Sequence, residues 1–473
     1  MPIVIFINGL VLLAFAALMA LDALIFQDTG EVFLISALLT GLAGALLALA
    51  AGTGHRRPNR LDGFVLTSSV WIVAALAGAV PLWVWQLSPV DAFFEAMSGI
   101  TTTGSTVMVG LDQTPLGVLF WRALLQALGG VGFIVTGMAL LPALRVGGMQ
   151  LYRTESSDKG EKELRNAASF ALATLVVYVG LMAVCAALYL LGGMGLFDAL
   201  THAMTTLSTG GYSNYDASFG HFDSSYLQWV CTIFMLAGAL PFAWYIRVLA
   251  KRQLRSEQVQ AMLFTLIPLI VGFALWLELS KGISFLDALR MVAFNVVSVV
   301  TTTGYATTDY TLWGPFAVVF FFGMTAVGGC TGSTSGGAKA MRWLLMGRAL
   351  RAQIARMSAP HRVTVIRYEG RRVEEDVLSG VVAFFVIYFA TFMGIAVLLS
   401  LMGLDFVTAT TGSLTALANV GPGAGALIGP AGNFASLEDG PKVVLSLAMY
   451  LGRLEMLTVL VLLVPGFWRE ALA

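Results

Sequence analysis

"DAFFEAMSGITTTGSTV", residues 91–107, sets three consecutive threonines and a glycine inside a chain otherwise dominated by Leu, Ala, Val and Phe. Its surroundings give this polar strip its meaning. Of the 473 residues, 58% are hydrophobic and 11% are charged, and the mean hydropathy is +0.83. That leaves too little polar surface for a water-soluble chain. A helix that crosses a bilayer needs about 20 mostly apolar residues. Runs of that kind lie near 3–26, 31–52, 63–86, 116–144, 167–191, 226–246, 259–279, 313–345, 378–402 and 442–467. The first run has no basic segment before it and is longer than a signal-peptide core, so it reads as a retained helix. Cys185, Cys231 and Cys330 fall in or beside apolar segments and read as small buried hydrophobes rather than a disulfide or metal cluster.

The strip recurs. "FDALTHAMTTLSTGGYS" at 197–213 and "LDALRMVAFNVVSVVTTTGYA" at 286–306 repeat its order, and "DFVTATTGSLTALANVGPG" at 405–423 is a fainter fourth copy. Each has an Asp, a short mixed stretch, and a polar strip closing on Gly104, Gly211, Gly304 or Gly421. One hydrophobic run precedes each copy and one follows it. The stretch after each Asp is about 10–14 residues, too short to span and the right size for a re-entrant half-helix, with the Asp suited to an N-cap. The predicted unit is therefore helix, half-helix, polar strip, helix. The units run over 55–150, 151–256, 257–360 and 361–473, with an extra helix pair in 1–54.

Lys and Arg give the orientation through the positive-inside rule. With the N-terminus inside, one face receives Arg56, Arg57, Arg60, Arg145, Arg153, Lys159, Lys162, Arg165, Arg247, Lys251, Arg252, Arg255, Lys339, Arg342, Arg348, Arg351, Arg356, Arg362, Arg367, Arg371, Arg372 and Arg469, 22 residues in all. The other face holds only Lys281, Arg290 and Lys442, and Arg122 and Arg453 lie within apolar runs. Both termini are then cytoplasmic, and every half-helix enters from outside with its C-terminal end pointing inward.

A helix C-terminus favours a cation, and irregular backbone at membrane depth is tolerated only against protein or a watery cavity. Glycine opens backbone angles closed to other residues, which lets successive carbonyl oxygens turn toward an axis, as in cation filters. One such strip fits ordinary small-residue packing between membrane helices. Four strips, each behind a half-helix on the same side, point to a cation filter. The repeats run parallel, whereas a cation-coupled secondary transporter of a small organic solute, the alternative reading, usually shows inverted ones. No nucleophile with its base, no clustered His, Cys or carboxylates, and no GxxxxGK phosphate loop argues for an enzyme.

As a set, "TTTGST" at 101–106, "STGGYS" at 208–213, "TTTGYA" at 301–306 and "NVGPG" at 419–423 resemble the Trk/Ktr/HKT superfamily of potassium transporters, within it the TrkH/TrkG type. The resemblance covers essentially the whole chain, the additional N-terminal pair included. It implies an all-α polytopic membrane protein with four parallel helix–pore-loop–helix repeats around a pseudo-fourfold pore. It also implies potassium as the transported ion, with no cofactor bound by the chain. The filter would consist of Thr101, Thr102, Thr103 and Gly104; Ser208, Thr209, Gly210 and Gly211; Thr301, Thr302, Thr303 and Gly304; and Ala418, Asn419, Val420 and Gly421. The fourth strip departs from the others, with Asn419 and Val420 where threonines are expected.

"GMTAVGGCTGSTSGGAKAMRW", residues 323–343, interrupts a hydrophobic run with glycines and hydroxyls that make a poor continuous helix. The resemblance implies an intramembrane gating loop there, with Gly328, Gly329, Thr331, Gly332, Ser333, Thr334, Ser335, Gly336 and Gly337 beneath the filter. A charge deep in a spanning helix usually faces a cavity or partner, and the resemblance puts Arg453 in the pore beside that loop, whereas Glu455, two residues on, faces another side of the helix. The arginine-rich segment 346–376 suits anionic lipid headgroups. Within it, "VIRYEGRRVEED" reads as a short hairpin with a Glu-Gly turn. The family resemblance adds a cytoplasmic nucleotide-binding regulatory subunit of TrkA/KtrA type, a homodimer, and a multi-pass location in a bacterial inner membrane, and no nucleic-acid partner is expected. His202 and His221 read as solvated external histidines.

Overall fold

The computed structural model describes residues 2–52, 60–139, 163–359, 361, 364–454 and 456–472. Arg56, Arg57, Arg145, Arg153, Lys159, Lys162, Arg362 and Glu455 lie outside that set. Among the described residues six helices are long and apolar enough to cross a membrane: Pro2–Ile25, Gln27–Ala51, Asp62–Trp85, Ser169–Leu191, Glu257–Lys281 and Glu375–Leu401. The chain is a multi-pass helical membrane protein. Leucines such as Leu24, Leu49, Leu279 and Leu401 remain exposed on these helices, as apolar faces turned toward lipid do.

The order read from the sequence recurs four times. The half-helices are Pro89–Ile100, Leu196–Leu207, Phe285–Val300 and Phe406–Ala418, and apart from their N-terminal ends they are almost wholly buried. The helices Pro2–Ile25 and Gly30–Ala51 pack on each other through Gly9 and Gly44, where a Cβ on either glycine would meet the other helix's backbone at 2.8–2.9 Å.

The aspartates do not all cap as expected. Asp405 does, accepting from the amides of Val407 at 3.0 Å and Thr408 at 3.1 Å. In the first and third units Ser88 and Ser284 are the caps, and Asp91 and Asp287 stand three residues in and accept the serine hydroxyls at 2.9 and 2.7 Å. Each serine oxygen in turn accepts from the aspartate amide, at 3.1 and 3.4 Å, so cap and carboxylate are mutually bonded in a variant of the capping box whose carboxylate takes the cap hydroxyl. In the second unit Gly195 occupies the cap position. Hydrogen bonds to the charged form hold a carboxyl below its ordinary range. The Ser284 hydroxyl does this for Asp287, with Arg290 adding to it, and Thr408 does it for Asp405.

Two runs expected to be continuous are broken. The axis turns by 91° between Ser225–Gly238 and Phe242–Lys251, and by 107° between Asp439–Arg453 and Met456–Leu463. Pro241 lacks the amide that would continue the first helix. The groups freed there pair with the 328–337 segment: Cys330 N donates to Ala239 O at 2.9 Å and Phe242 N to Gly332 O at 3.0 Å. The hairpin expected near 365–376 forms, with Arg367–Tyr368 antiparallel to Arg371–Arg372 and both turn residues, Glu369 and Gly370, at positive φ.

Candidate cation site

Each half-helix ends the same way. The amide of the second strip residue donates three residues back: Thr102 to Gly99 O, Thr209 to Thr206 O, Thr302 to Val299 O and Asn419 to Ala416 O, at 3.0–3.2 Å. The third donates five back: Thr103 to Ser98 O, Gly210 to Thr205 O, Thr303 to Ser298 O and Val420 to Thr415 O, at 2.8–3.0 Å. This is a Schellman ending, whose turning residue is left-handed and usually glycine. Here that residue is Thr102 (φ 53°), Thr209 (51°), Thr302 (60°) or Asn419 (56°). A β-branched residue in this region is uncommon and costs energy, so three threonines in register mark a conformation that the surroundings enforce. The motif spends amide N–H groups on the half-helix, which frees strip carbonyls for other partners. Asn419 tolerates the left-handed region best, and the fourth strip keeps the backbone of the other three despite its different sequence.

The closing glycines also have positive φ: 89° at Gly104, 71° at Gly211, 82° at Gly304 and 110° at Gly421. Their contacts close a ring. A Cβ on Gly104 would strike Gly210 O, one on Gly211 would strike Thr303 O, and one on Gly304 would strike Val420 O. A Cβ on Gly421 would lie 2.8 Å from Thr103 O, in the first strip. Each strip's fourth residue therefore abuts the third carbonyl of the next strip, and the last returns to the first. Asn419 adds a side-chain tie across the same seam, with Nδ2 donating to Thr103 Oγ1 at 3.0 Å. On one side the ring faces a cavity of about 230 Å³ lined by all four closing glycines.

Several residues that hold the strips were not legible as such. Gln126 Nε2 donates to Gly210 O at 2.7 Å and its Oε1 accepts from Tyr212 N at 3.0 Å. Glu95 and Arg122, both buried, pair at 2.8 Å. Arg122 also donates to Ser213 O at 2.9 Å and lies 4.1 Å over the Tyr212 ring. The Tyr212 hydroxyl reaches Glu95 O and Ser105 O. Arg122, which the sequence marked only as a charge in an apolar run, thus braces the first two strips. His202 is a correction: it is fully buried, with Nδ1 2.9 Å from Asp198 O and Nε2 3.1 Å from Ser213 Oγ. Four aromatic rings, those of Tyr215, Phe219, Phe222 and Tyr305, surround His202, whereas His221 is exposed and stacks on Tyr215.

The segment from Val327 to Lys339 is not helical and links Pro315–Thr325 to Ala340–Ser358. Gly328, Gly332 and Gly337 have φ of 77°, 81° and 73°, and Gly329 leaves no room for a Cβ against Ser335. The segment lies against the first and second strip residues, opposite the cavity. Ser335 Oγ donates to Thr301 O at 2.7 Å, Gly336 N to Thr302 Oγ1 at 2.8 Å, and Thr334 Oγ1 to Leu207 O at 3.0 Å. A Cβ on Gly336 would strike Ala418 O. Thr331 bonds to Gln258 and Ser333 Oγ donates to Cys330 O. Arg453, 1% exposed, donates from Nη1 to Thr334 O at 2.8 Å and from Nη2 to Gly129 O at 3.2 Å. It thereby ties the segment to the first unit.

A model of the TrkH family, described as cation transport protein, matches residues 29–469. The chain belongs to this family. Membership assigns it to transport rather than catalysis and does not favour an organic-solute carrier. The chain is 49% identical to the Trk system potassium uptake protein TrkI of Halomonas elongata, over 86% of this chain and 84% of that protein. It is 36% identical to the TrkH protein of the same organism, over 98% of each. The crystal structure of the potassium transporter TrkH from Vibrio parahaemolyticus superposes with a TM-score of 0.90 at 32% identity, covering 98% of this chain and 99% of that one.

Proposed function

We propose that this chain carries potassium inward across the cytoplasmic membrane through a pore whose selective element is the ring of four strips. The observation that carries this reading is the cyclic closure of the glycine contacts, from Gly104 on Gly210 through to Gly421 on Thr103, because a ring of backbone carbonyls can replace the water shell of an ion. The four units stand about a pseudo-fourfold axis. The arginine-rich face is cytoplasmic and both termini are on that side. The cavity lined by the closing glycines is the external mouth, and the 328–337 segment obstructs the pore from below as its gate. Arg453 holds that gate and adds a positive charge to the ion path. A nucleotide-binding subunit of TrkA type acts on the cytoplasmic face, and the transporter works as a homodimer.

Purified protein in liposomes tests this. Rubidium tracer is expected to enter against a potassium gradient, to be displaced by potassium, and to be displaced far less by sodium. Equal competition by sodium and potassium would contradict a potassium filter, and rubidium entry that required an added organic solute would favour a coupled carrier.

A further inference from the structure

The helix Glu257–Lys281 begins without a local cap, since the Ser256 side chain makes no capping hydrogen bond. Its first amide is satisfied from far along the chain: Glu257 N donates to Glu369 Oε1 at 2.7 Å. Glu369 is the first of the two turn residues of the 367–372 hairpin. An unsatisfied donor at a helix start is costly when water is excluded, so the hairpin completes this helix.

The same first turn grips the intramembrane loop. Gln258 is fully buried, and its amide engages both backbone polar groups of Thr331: Oε1 accepts from Thr331 N at 3.0 Å and Nε2 donates to Thr331 O at 3.4 Å. Arg348 joins the assembly from the helix Ala340–Ser358, into which the loop runs. It pairs with Glu257 at 2.6 Å and donates to Arg367 O in the hairpin. A cleft of about 490 Å³, lined in part by Glu257, Arg348, Arg367 and Gly370, opens beside these bonds.

We infer that Glu257, Gln258, Arg348 and Glu369 form a clamp that lets the hairpin hold the intramembrane loop in place. The inference rests on the reading of that loop as the gate only for its effect on transport. The hairpin caps the helix, the helix start holds Thr331, and Arg348 ties the exit of the loop to the same point. A partner that draws the hairpin away would uncap the helix and release Thr331. All four are positioning residues, and none touches a strip.

Cys330, adjacent to Thr331 and fully buried, reports on the clamp without reference to transport. The full chain in inside-out vesicles, without a regulatory subunit, is treated with a maleimide, and modification of Cys185, Cys231 and Cys330 is followed separately by peptide mass spectrometry. Loss of one such hydrogen bond shifts an opening equilibrium by about tenfold. Glu369→Ala and Gln258→Ala are therefore expected to accelerate modification of Cys330 about tenfold and to leave Cys185 and Cys231 unchanged. Glu369→Gln keeps an acceptor oxygen and is expected to behave as the parent. Unchanged Cys330 rates in both alanine variants, or equal acceleration at all three cysteines, would overturn the clamp. Faster Cys330 modification with unaltered rubidium flux would leave the clamp standing and count against the loop as the gate.

Discussion

Gly211→Ser is expected to abolish potassium preference or transport itself. At φ 71° a residue with a Cβ is strained by about 1–2 kcal/mol, but the larger effect is steric. The new Cβ would fall on Thr303 O, the third-position carbonyl of the next strip, and a backbone oxygen cannot rotate away as a flexible side chain can. Gly304→Ser meets Val420 O and Gly104→Ser meets Gly210 O in the same manner, so all three should lower potassium-over-sodium discrimination by roughly tenfold or more, each factor of ten being about 1.4 kcal/mol. Gly421 has its nearest obstruction at 2.8 Å, and Gly421→Ser should be the mildest. Competition of rubidium uptake by sodium, measured on variants with parental insertion and monodispersity, checks the ranking. Parental discrimination at all four positions would make the strips packing elements.

Arg453→Ala is expected to raise flux in the absence of the regulatory subunit by about tenfold or more. Hydrogen bonds from a charged donor contribute about 1.5–3 kcal/mol, and the substitution removes two, to Thr334 O and Gly129 O, together with a positive charge beside the proposed ion path. Arg453→Lys separates these contributions, because an ammonium keeps the charge but lacks the planar fork that reaches two carbonyls at once. A lysine variant with parental flux assigns the effect to charge, whereas one with raised flux assigns it to the lost bridge. Unchanged or reduced flux in the alanine variant would leave Arg453 as a structural residue.

The repeats and the glycines that end them were legible because polar residues and glycine stand out inside apolar runs, and their spacing recurs. The left-handed turn one residue before the third carbonyl was not. Asn419 advertises such a turn, but Thr102, Thr209 and Thr302 do not, since a β-branched residue adopts it only when the packing around it leaves no alternative. The first and third caps carried a missed signal in "SPVD" and "SFLD", where a serine precedes the aspartate by three residues. Gln126 and Gln258 are single polar residues whose partners lie 84 and 73 residues away, and no local pattern names such a partner. His202 read as external because the positive-inside reading puts the half-helix starts outside. Its burial follows from the aromatic residues that the 212–222 segment folds back over it, a tertiary contact with no periodicity to reveal it. Pro241 carried an unread signal of the bend, but the pairing of the freed backbone groups with the 328–337 segment is visible only in three dimensions.

The most direct test of the ring as a cation site is anomalous diffraction from crystals of the protein grown in thallium or rubidium salts. The ion is expected on the axis enclosed by residues 101–104, 208–211, 301–304 and 418–421, and the peak should fall when potassium replaces the heavier ion and disappear in Gly211→Ser. A parent crystal with strips ordered as described and anomalous density only elsewhere would contradict the assignment.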